Sequence, residues 1–163
     1  MRAAPVVLGI DPGLSGALAV LDAQGRVLET EDMPTLTTGN GRRVLDVVRL
    51  RELLTRLPPL RGVLWVEQVG TMPTDSRVSA FAFGRSVGAL EACCILSGVP
   101  LHRVSPQVWK RAAGLPVGAP KAASLEAAMR LVPSSAQHLT RARDHNRADA
   151  VLIALHGLHQ SAS

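Results

Sequence analysis

Tyrosine is absent from this 163-residue chain, and phenylalanine and tryptophan contribute only two residues each. So thin a supply, Phe81, Phe83, Trp65 and Trp109, argues against the stacking platforms on which single-stranded nucleic acids are held. Cysteine is equally scarce. Cys93 and Cys94 are adjacent, a spacing that suits neither a metal site nor a disulfide framework, so they read as core thiols of a reducing compartment. No apolar run comes near the roughly 18 residues of a membrane span, and residues 1–5 are too short for a signal peptide. A cytoplasmic protein with no membrane partner is the expectation. Repeats, linkers and low-complexity segments are missing as well, so residues 1–163 are read as one domain. Acids are outnumbered by bases, 13 Asp plus Glu against 18 Lys plus Arg, which gives a net charge of +5 and a pI near 10.5. That balance favours a polyanionic partner, met through its phosphates rather than its bases.

What the chain does have is apolar stretches that end in acids. Residues 6–10, Val-Val-Leu-Gly-Ile, are short, β-branched and bounded by turn signals, which predicts a buried strand with Asp11 at its end. An ionised carboxylate beside a buried strand is costly unless a cation or several donors compensate it, and no Lys or Arg follows within ten residues. A metal ion is one compensator. The alternative is a plain hairpin in which Asp11 caps its own turn through the backbone. Pro12-Gly13 and Ser15-Gly16 turn the chain into a second strand over 17–21, and Asp22-Ala23-Gln24-Gly25 turns it again into an edge strand over 26–31. Residues 33–43 are expected to form a polar, flexible loop whose Arg42 and Arg43 either touch phosphate or sit in solvent. A helix over 46–57 follows, with Val47, Leu50, Leu53, Leu54 and Leu57 on one stripe.

Residues 62–67 repeat the first pattern, a buried strand ending in Glu67, which is either a metal ligand or an exposed acid at a loop edge. Two core strands that each deliver a carboxylate suit Mg²⁺, which takes one or two protein carboxylates and leaves the rest to water and substrate phosphate. Residues 77–97 read as a long helix that starts at Arg77 and is closed by Gly98. Its Gly84 and Gly88 each cost about 1 kcal/mol against Ala, so they point to close approach of a strand or a partner helix. After a strand over 99–104, Ser105-Pro106 opens a short helix carrying Trp109 and Lys110. Lys121 opens the next, through Val132, where its charge opposes the helix dipole unless phosphate or solvent relieves it. Residues 133–143 read as a loop. The last helix begins near Asp144-His145-Asn146-Arg147-Ala148-Asp149, with His145 and Asp149 on one face.

Gly9-Ile10-Asp11-Pro12-Gly13, then Val66-Glu67-Gln68-Val69, then Lys110 and Lys121 eleven residues apart, and Arg147-Ala148-Asp149-Ala150 before an apolar helix stand in an order that resembles the RuvC family of Holliday junction resolvases. The resemblance covers almost the whole chain. The Trp109-Lys110 pair and the Asn-Arg-Ala-Asp-Ala helix start look closer to phage-type and organellar relatives than to the bacterial housekeeping branch. What the resemblance implies is an α/β, ribonuclease H-like fold, a central mixed five-stranded sheet with helices on both faces. It further implies a Mg²⁺-dependent homodimer that binds four-way junction DNA and nicks two opposing strands symmetrically, in DNA recombination and repair, in a bacterium or a phage-infected cell. On that reading Asp11, Glu67 and Asp149 hold two metal ions about 3.5–4 Å apart, with Mn²⁺ as a substitute. Lys121, with Lys110, holds the scissile phosphate, and Arg42, Arg43 and Arg77 add DNA contacts. Any branch-migration motor is left open.

Two positions depart from the housekeeping pattern. The acid or histidine three residues before the last aspartate is Asn146 here, and the aromatic wedge three positions after the glutamate is Gly70. Positions i−3 and i−4 share a helix face with Asp149 and i−5 does not, so His145 is the expected fourth ligand, with Asp144 as the helix N-cap and the substitute. Two other functions stay open, a junction-binding protein without catalysis and a general nuclease of the same fold. A sugar kinase or actin-like ATPase shares the Asp-x-Gly turn but needs two such domains, and this chain has room for one.

Overall fold

The structure, a computed structural model, describes residues 6–56 and 62–161. Its strands and helices run in the order β1 (Val6–Asp11), β2 (Ala17–Asp22), β3 (Val27–Asp32), β4 (Thr35–Thr37), β5 (Arg43–Leu45), α1 (Val47–Arg56), β6 (Gly62–Glu67), α2 (Arg77–Leu96), β7 (Leu101–Val104), α3 (Pro106–Ala112), α4 (Lys121–Leu131) and α5 (His145–Ser161). β1, β2 and β3 form an antiparallel meander, and β6 and β7 add in parallel on the other side of β1, giving the sheet order β3-β2-β1-β6-β7. The sheet is mixed and β3 lies at its edge, both as expected.

Side chains on a strand alternate between faces, and the central strands use both faces. Val6, Leu8, Ile10, Leu18, Val20, Leu64 and Val66 pack with Leu50 and Leu54 of α1 and Leu90 and Cys94 of α2. Val7, Ala17, Ala19 and Leu21 pack instead with Trp109 of α3, Ala127 and Ala128 of α4, and the apolar face of α5. Helices therefore cover both sides of the sheet. The stripe read on α1 enters the core through Leu50, Leu53 and Leu54 while Val47 stays exposed, and Leu57 lies outside the described residues. Cys94 is a buried core thiol, pushed up to about 12 by burial and by its neighbours Cys93 and Glu91.

Three expectations need correction. The segment 33–43 is no flexible loop, because Thr35–Thr37 and Arg43–Leu45 pair antiparallel as a hairpin. Its turn is built by Thr38 and Gly41, with Gly41 at a φ of 78° that an L side chain resists. The loop over 133–143 contains a 3-10 turn, Pro133–Gln137, and the Ser134 hydroxyl there accepts from Val27 N–H at the start of β3. Finally, α2 is 20 residues of a length and composition that would cross a membrane, although no such run was expected. It buries only Leu90 and Cys94. Gly84 and Gly88 face open space, so the close approach inferred from them is not made among the described residues.

Candidate metal centre

Strand register places the first two acids. β1 and β6 are parallel neighbours, and pairing of Ile10 with Val66 sets the next residues, Asp11 and Glu67, side by side where both strands end. Ile10 and Val66 point into the core under α1 and α2, so by alternation Asp11 and Glu67 turn to the face that α5 covers.

The third acid comes from α5. A Cβ on Gly9 would overlap the backbone of Ala150 and Ala154, and Ala17, Ala19, Ala148, Ala150 and Ala154 are all fully buried. Only small residues at this contact let the helix descend onto β1. Asp149, beside Ala150, is thereby held close enough to Asp11 to act on its charge.

The three carboxyls perturb one another. Burial, then Asp149 and Glu67, push Asp11 from its ordinary 3.8 up to about 8, against the pull of Lys110. Burial and the nearby Asp149 likewise raise Glu67, although the indole of Trp109 donates to Glu67 Oε2 at 2.7 Å and Lys110 lies near. Burial raises Asp149 despite the Ser124 hydroxyl, Lys110, His145 and Lys121, which all pull it down. Lys110 is thus the cation felt by all three acids, while Lys121 and His145 act on Asp149. Asp149 Oδ1 is buried with no hydrogen-bond partner.

The turn that follows Asp11 is fixed on three sides. Gly13 adopts a φ of 112° and accepts from Gly16 N–H. A Cβ on Gly16 would overlap the carbonyl of Asp11. Arg43, from the β4–β5 hairpin, donates to the Leu14 carbonyl at 2.6 Å, and the side-chain amide of Asn146 donates to the Ser15 carbonyl. The Asn at the departing position therefore ties the start of α5 to the turn.

A cleft of about 920 Å³ opens over this turn, and Asp11, Arg43, Phe83, Lys121, Arg143 and His145 are among its walls. Glu67, Asp149 and Lys110 are not part of that lining, and neither are Arg42 and Arg77, which are exposed at the hairpin and at the start of α2. Asp144 is fully buried ahead of α5 and its carbonyl accepts from Ala148 N–H, as an N-cap residue does. Its two carboxylate oxygens, however, are taken by the Arg141 backbone N–H at 2.8 Å and guanidinium at 2.6 Å, not by the helix.

Sequence reasoning missed a second set of residues here. Asp32 lines the cleft; burial raises it, but Arg147 and Arg141 bind it and hold it below the usual carboxylate range. This acid is neutralised in place. Ser124, Arg141 and Arg143 also carried no signal, because each acquires its neighbours only through the fold. Trp109 was visible as a bulky anchor before Lys110, but not as the donor to Glu67.

The donor set fits a hard divalent ion. Three carboxylates raised by burial, and a buried Asp149 oxygen without a partner, suit Mg²⁺ or Mn²⁺ rather than a thiolate-seeking metal. Among the described residues no three acids, histidines or cysteines stand close enough together to hold an ion by themselves. Mg²⁺ needs no such cluster, since it keeps several waters and shares its shell with substrate phosphates.

No family model matches the sequence, and no curated protein matches it. Solved structures do. RuvC of Thermus thermophilus, in complex with a Holliday junction substrate, is similar at a TM-score of 0.65 and 24% identity over 97% of this chain and 96% of that one. The Fowlpox virus resolvase, crystallised with Holliday junction DNA, gives 0.59 and 14% over 94% and 99%. The yeast mitochondrial Holliday junction resolvase Ydc2 gives 0.53 and 14% over 99% and 81%. At these identities the likeness is one of fold, and the chain has the α/β, ribonuclease H-like fold that these resolvases share.

Proposed function

We propose that this chain is a single nuclease domain that resolves four-way DNA junctions, a Mg²⁺-dependent endonuclease of the RuvC type acting as a homodimer. The observation that carries the proposal is the convergence of Asp11, Glu67 and Asp149 from two strand ends and one helix, beside a cleft walled by Lys121, Arg43 and Arg143. The full-length likeness to resolvases solved with Holliday junctions supports the choice of substrate.

Bound Mg²⁺ supplies an attacking water ionised near neutral pH and charge stabilisation of the leaving oxygen. The protein's share is to hold and exclude. Asp11, Glu67 and Asp149 present the oxygens that would hold the cations, and His145 at the start of α5 would join them as the fourth ligand. Lys110 and Lys121 bind the scissile phosphate. Asp144, with both oxygens engaged by Arg141, keeps α5 in place rather than binding metal.

A dimer is supported by α2. Its exposed surface carries Val78, Phe81, Ile95 and Leu96, 59–85% accessible, around Gly84 and Gly88, where a second helix could approach closely. A two-fold dimer matches the symmetry of a junction and directs two sites to opposing strands. In the test, purified protein is incubated with a labelled four-way junction or the equivalent linear duplex, with and without Mg²⁺. Paired nicks in the junction only, and only with Mg²⁺, are expected. Binding without cuts would make the chain a junction-binding protein, and equal cutting of the duplex would make it a general nuclease.

A further inference from the structure

We infer that Trp109 is a positioning residue of the carboxylate centre, its indole N–H holding Glu67 Oε2 so that Glu67 meets a divalent cation through Oε1. The inference rests on the reading of Glu67 as a metal ligand. Glu67 pairs with Val104 at the end of β7, and the chain then turns through Ser105 into α3, which returns Trp109 beneath the carboxylate. The ring is fully buried among Val104, Ala113, Ala127 and the α5 core. It cannot follow a mobile acid, so the acid is fixed to it.

An indole has a donor and no acceptor, and Glu67 Oε2 at 2.7 Å is the acceptor it finds. Packing alone would not require this bond, because the partly buried Trp65 packs against the same core and its own buried N–H has no partner. The same ring carries Lys110, whose ammonium lies 5.3 Å from its centroid. One rigid side chain thus orients a ligand and the cation that acts on all three acids.

Outer-shell donors of this kind are worth about 10–100-fold in metal affinity. Calorimetric titration of the full-length protein with Mn²⁺ alone, without DNA, should show Trp109→Phe binding about 10–100-fold more weakly than wild type. Asp11→Asn is the control for the underlying site. If it binds Mn²⁺ as wild type does, the carboxylate centre is not a metal site and both readings fall. If it loses binding while Trp109→Phe keeps wild-type affinity, only the role of Trp109 is overturned. Should Trp109→Phe not fold, the wild-type protein decides through the two indole N–H signals of its ¹⁵N spectrum. The Trp109 signal should move on saturation with Mg²⁺ and in Glu67→Gln, with that of Trp65 unmoved. A Trp109 signal that stays put through a saturating Mg²⁺ titration overturns the proposal.

Discussion

Asp11 carries the clearest residue-scale consequence, because its folded pKa of about 8 lies well above its ordinary 3.8. A carboxyl raised in this way binds its proton more tightly in the folded than in the unfolded chain. Its contribution to stability is therefore complete below about pH 4 and is lost as pH rises toward 8. Metal-free protein should melt at progressively lower temperature between pH 5 and pH 8, and Asp11→Asn should flatten that decline; a profile identical to wild type would show that Asp11 does not titrate there. Mg²⁺ requires the ionised form, so its affinity should climb over the same range and its binding should release protons. Because the three acids interact, the inflections belong to the trio rather than to one residue. At this scale the sequence singled out Asp11 and Glu67 at strand ends, Asp149 and Lys121 near helix starts, and Lys110 after a bulky anchor. It did not show that Lys110 acts on all three acids, that Asp32 is bound by Arg147 and Arg141, or that Asn146 ties α5 to the turn. Those partners come from distant parts of the chain, and local pattern cannot pair them.

Among the elements, α5 against β1 decides whether a site exists at all. The contact admits no side chain at Gly9, so Gly9→Ala should push the helix away and cost about 1–3 kcal/mol as an overpacked core position. Its cleavage should fall much further than its stability, because Asp149 moves with the helix. Denaturant unfolding beside a cleavage assay measures both, and full activity at a reduced Tm would separate the Gly9 contact from the site. The apolar runs of β1, β2 and β6 and the stripe of α1 were readable because each obeys its own period. The β4–β5 hairpin was not, since its three-residue strands are rich in Thr and Arg and are half exposed. Asn40-Gly41 was the signal available, a dipeptide that favours tight turns.

For the molecule as a whole, α2 is the element without a sufficient place in one chain. Twenty residues that bury only Leu90 and Cys94 leave an apolar surface that a second copy would cover. Gly88→Arg, at a position open to solvent, should leave the fold intact and give a monomer by sedimentation, with junctions nicked singly rather than in pairs. A variant that stays dimeric would move the interface elsewhere. The sequence suggested a close approach along α2, but only the fold showed that none of the described residues makes it. The larger claim is that binding and cutting are separable, the first resting on basic side chains and the second on three acids at the end of the sheet. The most direct measurement compares wild type with Asp11→Asn on one labelled four-way junction, reading affinity in metal-free buffer and cleavage in Mg²⁺. Affinity within a few-fold of wild type and no detectable cut are predicted; cleavage by Asp11→Asn at the wild-type rate would contradict the account.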